Sequence, residues 1–147
     1  MHLSERFPDS GYHRIPLTRS GVGHLHAAGT VNGRWVSVLL DTGGASTVIS
    51  LTLARELGLT LTKVPFQGGG AGAGRLDVYH VPDGRLLLAG VPPQLQTLMA
   101  MDLSHVNQAL ALKGEAPVDA IVGADVFEAQ GAVIDYASRS LFLKETV

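Results

Sequence analysis

Apolar positions along the chain gather in short runs punctuated by glycine, proline, asparagine and aspartate, a rhythm of strands and turns rather than of long helices. Residues 24–31 suit a strand. Asn32-Gly33 behind them is a strong hairpin signal, because both central positions of the favoured tight turn need positive φ. The return strand, 34–40, carries Trp35, Val36, Val38, Leu39 and Leu40. That run is too continuous for a strand with one wet face, so the pattern predicts a strand covered on both sides, ending at Asp41. After Asp41-Thr42-Gly43-Gly44, residues 45–49 form a second β-prone run, and Ser50 is placed to cap a short helix over 51–57 that Gly58 stops. Strand-compatible segments 59–66 and 76–81 flank the glycine tract 68–74. Pro82-Asp83-Gly84 reads as a turn, 86–88 and 97–103 as strands, and 104–113 as a helix stopped by Gly114. Ala120-Ile121-Val122-Gly123, a short helix ending near Gly131, and strands at 132–136 and 141–144 close the pattern. Residues 1–20, with Pro8, Gly11, Pro16 and no sustained periodicity, read as an extended or poorly ordered lead-in, which leaves 21–147 as the packed domain.

At 147 residues and 46% hydrophobic, the chain suits one mainly β domain with a few short helices, able to bury a core without staples. The absence of cysteine removes disulfide scaffolds, thiol nucleophiles and Cys-ligated metal from consideration. Lys and Arg number 11 against 13 Asp and Glu, and the basic residues are scattered. Neither nucleic acid nor an anionic membrane is therefore an expected partner. No apolar run approaches the roughly 20 residues needed to span a bilayer, and the polar start lacks the apolar segment of a secretory leader, so a cytoplasmic location is the weak expectation.

Chemistry concentrates at Leu39-Leu40-Asp41-Thr42-Gly43. A carboxylate directly after an apolar strand must be solvated, paired, neutralised or used. On Asp-Thr-Gly alone, an Asx-type turn at a strand end is the simpler reading. The wider context changes that balance. Residues 38–50, with Leu53-Ala54 and Leu57-Gly58-Leu59 behind them, resemble the active-site region of retroviral-type (retropepsin-like) aspartic proteases and their bacterial single-domain relatives. Val118-Asp119-Ala120-Ile121-Val122-Gly123-Ala124-Asp125, then 131–136 and 141–143, resemble the same family's second signature, in the same order along residues 23–144.

The resemblance implies an acid-protease barrel, closed or partly open, and a peptide-hydrolysing activity with Asp41 as the catalytic carboxylate. It implies that Thr42 and Gly43 support the active-site turn. Gly44 and Ala45, and Gly69, Gly70, Ala71 and Gly72 of the tract that falls where the family has its flap, are the expected substrate-binding positions. Two departures stand out: Gly44 where the family usually has Ala or Ser, and Ala45 where an acidic or hydroxyl residue is common. Gly44 needs no extra room and should leave the turn intact.

The family's chemistry needs two carboxylates, and the chain has one Asp-Thr-Gly and too little length for two lobes. Asp9-Ser10-Gly11 has neither an apolar strand before it nor a β-run after it, and reads as a turn. A homodimer pairing two copies of Asp41 is the simplest answer. The alternative is a non-catalytic peptide-binding module on the same dimeric fold, and a third reading is a subunit whose groove forms only with a larger partner.

Other constellations carry less. The glycine tract lacks the Lys-Ser/Thr ending and following helix of a phosphate loop. Ser46 and Ser50 lack the surroundings of a nucleophile elbow. His24-x-His26 is half a metal site without an evident third ligand, so no metal and no cofactor are expected. Asp119, Asp125 and Asp135 suit caps, turns or surface contacts. Residues 103–117 exceed what a minimal retroviral-type chain needs, and suit either shaping the groove or covering the dimer edge.

Overall fold

The computed structural model describes residues 10–68 and 75–145. In chain order the elements are β1 (Tyr12–Arg19), β2 (Leu25–Val31), β3 (Arg34–Leu40), β4 (Val48–Ser50), α1 (Leu51–Glu56), β5 (Thr62–Gly68), β6 (Leu76–His80), β7 (Leu86–Leu88), β8 (Met99–Met101), α2 (Ser104–Leu112), β9 (Ala120–Val122), α3 (Ala124–Ala129), β10 (Val133–Asp135) and β11 (Ser140–Lys144). The strands form one sheet ordered β10-β11-β1-β2-β3-β9-β4-β8-β6-β5, with β7 paired to β2 off that path. This is the mainly β architecture expected, and its ends do not meet: the barrel is partly open.

Several turn signals act as read. Asn32 and Gly33 have φ of 49° and 83°, closing the β2–β3 hairpin. The Asn32 amide also reaches across the fold, donating to Asp83 O at 2.9 Å and accepting from Arg85 N at 2.7 Å, which ties this hairpin to the 82–84 turn. Ser50 Oγ accepts from Leu53 N at 3.3 Å and caps α1, which Gly58 ends at φ 67°.

The lead-in expectation needs correcting. Tyr12–Arg19 pairs with β11 on one side and β2 on the other, and Ile15 and Leu17 are buried. Two alternating apolar residues suffice to seat a strand when both of its edges find partners. Pro16, which lacks a backbone N–H, did not signal a packed strand, yet it sits opposite Ser140 in the ladder.

Strands β3, β4 and β9 lie between two apolar clusters. Val36, Val38, Ile49, Ala120 and Val122 enter the larger one, while Val48 and Ile121 enter the smaller with Leu103, Leu110 and Val118. Leu39 packs on the smaller cluster and Leu40 on the larger, so β3 is covered on both faces at its Asp41 end. At the other end Trp35 is 76% exposed, against the expectation for the whole strand. No described helix is long and apolar enough to cross a membrane.

Candidate active site

Asp41 stands where β3 leaves the sheet. Parallel pairing of β3 with β9 sets Leu39 beside Ile121 and Leu40 beside Val122, and Asp41 N donates to Val122 O at 2.9 Å. The chain then turns tightly. Gly44 N donates to Asp41 O at 3.1 Å, and Gly43 N to the Asp41 carboxylate (Oδ1) at 3.1 Å. A carboxylate at a sheet end thereby gains a backbone donor while remaining half-buried rather than enclosed.

Glycine is required at Gly123, and at Gly44 it spares a shift of the Asp41 side chain. A Cβ on Gly123 would come within 2.6 Å of Gly44 O and 3.0 Å of Ser46 O, so only glycine lets the end of β9 pass under the turn. Ala124 N then donates to Gly44 O at 2.7 Å, fastening the two signature segments together. At Gly44 a Cβ would lie 2.9 Å from Asp41 Oδ2, so glycine leaves space in which that carboxylate rests over its own turn. The departure from the usual Ala or Ser thus reaches Asp41 itself.

Thr47 and Asp125 complete the support. Thr47 Oγ1 donates to Asp125 Oδ1 at 2.7 Å and accepts from Gly123 N at 3.1 Å, while Thr47 N donates to Asp125 Oδ2 at 3.0 Å. Asp125 therefore acts inside the site's scaffold rather than at the surface. The sequence around Thr47 carried no signal of this, because its partner lies 78 residues away. Asp119 also has an internal role, accepting from Ser37 N at 3.1 Å through its side chain. Asp135 accepts from Ala137 N and Ser138 Oγ, as suits a turn residue.

In front of Asp41 opens a cleft of ≈ 720 Å³. Gly43, Gly44, Ala45 and Ser46 form its floor beside Asp41, and Val48, Val78, Met99, Met101 and Ile121 give it an apolar wall. Phe66 and Gly68 from β5, and His105 and Val106 from α2, complete the lining. Among the lining residues Asp41 is the one carboxylate. Thr42 is exposed beside the turn, outside the cleft lining. Gly69, Gly70, Ala71 and Gly72 lie outside the described residues. A second depression of ≈ 850 Å³ runs along β5, lined by Lys63 to Phe66, Arg75 and Asp77; it lacks Asp41 and is the less suited to the same chemistry.

The wall residues Met99, Met101, His105 and Val106 were absent from the sequence reading of the site. They come from the segment 97–106, whose strand and helix were legible but whose parallel pairing with β4 was not. Just before α2, the Asp102 carboxyl is held below its ordinary range by hydrogen bonds from the Ser104 hydroxyl and backbone N–H.

Away from the cleft, His24 and His26 meet a third group that the sequence did not reveal. Glu115, in the turn after α2, brings Oε1 to 3.1 Å from His24 Nδ1 and Oε2 to 3.9 Å from His26 Nε2. Burial pushes the His26 imidazole below its ordinary range; the Glu115 charge opposes this and neighbouring His24 adds to it.

Comparison with known proteins agrees with this geometry. The family model described as "Aspartyl protease" matches residues 27–126, which contain both the Asp41 turn and the Gly123 crossing. No curated protein sequence matches the chain. Among solved structures, a retropepsin-like aspartic protease from Rickettsia conorii is similar at a TM-score of 0.56 and 18% identity, over 90% of each chain. The retroviral protease-like domain of Ddi1 from Leishmania major aligns at 0.55 and 18% identity, over 84% of this chain and 90% of that one. The EIAV protease, solved with the inhibitor HBY-793, aligns at 0.51 and 21% identity, over 80% of this chain and 98% of its own. These likenesses speak for the fold, and the family match covers most of the chain between β2 and α3: the chain belongs to the aspartyl protease family.

Proposed function

We propose that the protein is an aspartic endopeptidase that works as a homodimer, each subunit contributing Asp41 to one catalytic pair. The observation that carries this reading is the position of the Asp41 carboxylate: it borders the ≈ 720 Å³ cleft on a turn fixed by Gly43 N–H, with no second carboxylate among the cleft's lining residues. A water poised for attack on a peptide carbonyl needs a base and an acid at once. One chain offers one, and a two-fold partner offers the other.

In that dimer the paired carboxylates hold one proton between them, because like charges so close do not both ionise readily. The ionised member takes a proton from the water as its oxygen attacks the peptide carbon. The protonated member hydrogen-bonds the carbonyl oxygen and stabilises the charge that develops there. Proton return to the amide nitrogen then releases the amine, with no covalent enzyme intermediate. Thr42, exposed beside the turn, braces the two turns against one another, and Gly43 lets substrate backbone approach. Gly44 and Ala45 contact substrate from the floor, and Gly69, Gly70, Ala71 and Gly72 are proposed as further substrate-binding positions.

Asp41→Asn tests this directly. The variant is expected to keep its fold and its sedimentation as a dimer, while cleavage of a mixed peptide library falls by about 10²–10⁴-fold or more. Wild-type cleavage should be strongest on the acidic side of neutrality. Undiminished cleavage by Asp41→Asn would overturn the assignment, and a wild-type chain that stays monomeric at high concentration while cleaving would overturn the dimer. Peptide capture without turnover at any pH, competed by a transition-state mimic, would support the non-catalytic binding module instead.

A further inference from the structure

We propose that His24, His26 and Glu115 form a binding site for one divalent cation of the zinc class, with two imidazole nitrogens and one carboxylate oxygen as protein ligands. His24 and His26 are two residues apart where the chain enters β2, so their side chains share a face. Glu115 is delivered to that face by the end of α2: Gly114 turns the chain at φ 73°, and Glu115 N donates to Leu110 O at 2.9 Å. One donor atom from each of the three residues lies within 4.8 Å of the others.

Burial makes the cluster more than a surface coincidence. The side chains of Glu115 and His26 are 8% and 13% exposed, and that of His24 36%. Yet His24 Nδ1, His26 Nε2 and Glu115 Oε1 are buried and none makes a well-formed hydrogen bond, although Nδ1 of His24 and Oε1 face one another at 3.1 Å. Buried polar atoms are rarely left so, and three of them converging on one point are satisfied together by a cation. Ligands held at about 2.0–2.2 Å around a tetrahedral zinc stand roughly 3.3–3.5 Å apart. His24 Nδ1 lies 3.1 Å from Glu115 Oε1 and His26 Nε2 3.9 Å from Oε2, so gathering both nitrogens around one ion beside the carboxylate asks for side-chain adjustment on the ångström scale.

The donor set narrows the metal to divalent ions that accept imidazole, a class that includes iron(II) beside zinc. Calcium and magnesium prefer oxygen ligands throughout, and copper(I) prefers sulfur, whereas two imidazoles and a carboxylate suit zinc with one position left for water. The more exposed His24 side is where that water and the incoming ion have access. A bound ion would fasten the end of α2 to β2. His26 sits opposite Leu39, two residues before Asp41, and α2 supplies His105 and Val106 to the cleft, so the clip would steady one cleft wall. This proposal is independent of whether Asp41 is catalytic.

The test uses the full chain stripped with a chelator, then titrated with zinc by calorimetry and with cobalt(II) by visible absorption. Expected are one ion per chain, the absorption of four-coordinate cobalt, and a Tm raised by zinc. Glu115→Gln and His26→Ala should each weaken zinc binding by about tenfold or more, and His13→Gln should leave it unchanged. Should those variants fail to fold, chemical modification of the wild-type chain serves instead: zinc should protect His24 while His13 stays reactive. Absence of zinc uptake, leaving only a histidine–glutamate ion pair, would overturn the site. So would uptake undiminished by His24→Ala with His26→Ala, or zinc failing to protect His24.

Discussion

Thr47 is fully buried, yet its hydroxyl both donates and accepts, to Asp125 Oδ1 and from Gly123 N. It thus joins the strand entering β4, the end of β9 and the start of α3 under the Asp41 turn. Replacing it with valine keeps the shape and removes both bonds. Asp125 Oδ1 still accepts from Val126 N at 2.9 Å, but the buried Gly123 N–H is left unpaired. Such an orphan costs about 1–3 kcal/mol. Thr47→Val is therefore expected to lower Tm by several degrees, at about 2–4 °C per kcal/mol for a chain of this size, and to reduce peptide cleavage; Thr47→Ser should recover most of both. A Thr47→Val protein with unchanged Tm would show that the hydroxyl contributes nothing. At this scale Asp41, Gly43 and Gly123 were legible, because a carboxylate and two glycines after apolar runs leave a local trace. Thr47, Asp125 and Glu115 were not, because their partners are far away in sequence.

Among the elements, α2 and the loop behind it depend on one side chain. Asn107 Nδ2 donates to Val118 O at 3.1 Å, and Asn107 Oδ1 accepts from Val118 N at 2.8 Å, so one amide satisfies both backbone groups of a buried residue. This clamp delivers the chain from α2 into β9 in register beside β3. Asn107→Ala removes both bonds at once and is expected to cost about 1–3 kcal/mol. The loss should appear first as faster amide hydrogen exchange at Val118, ahead of the β2–β3 hairpin; unchanged exchange there would refute the clamp. The hairpin itself was fully legible, since Asn32-Gly33 dictates a turn whatever surrounds it. The helix over α2 was legible within a residue. Its use was not: the segment 103–117 supplies His105 and Val106 to the cleft wall and Glu115 to the histidine cluster, and both depend on tertiary placement.

For the whole molecule, the sheet order explains why a lead-in could not be left loose. β1 lies between β11 and β2, so it joins the C-terminal strands to the hairpin that carries Asp41. Sequence reading could not see this, because β1 has only Ile15 and Leu17 to announce it and its partner β11 lies at the other end of the chain. Burying those two side chains is worth roughly 3–6 kcal/mol together, a large part of the 5–15 kcal/mol that holds an ordinary domain. Removal of residues 1–19 also exposes ladder edges on β2 and β11 and uncovers Leu141 and Leu143, which are fully buried in the same cluster. The truncated chain is thus expected to lose its cooperative thermal transition or to aggregate. Cleavage of the intact protein before Gly21 should leave β1 bound to the body as a non-covalent strand, released only on unfolding. Circular dichroism of the truncated chain, and size-exclusion chromatography of the nicked one under native conditions, read the two outcomes. A truncated chain that melts at the wild-type temperature would mean that β1 is dispensable, and that the domain begins at residue 21 after all.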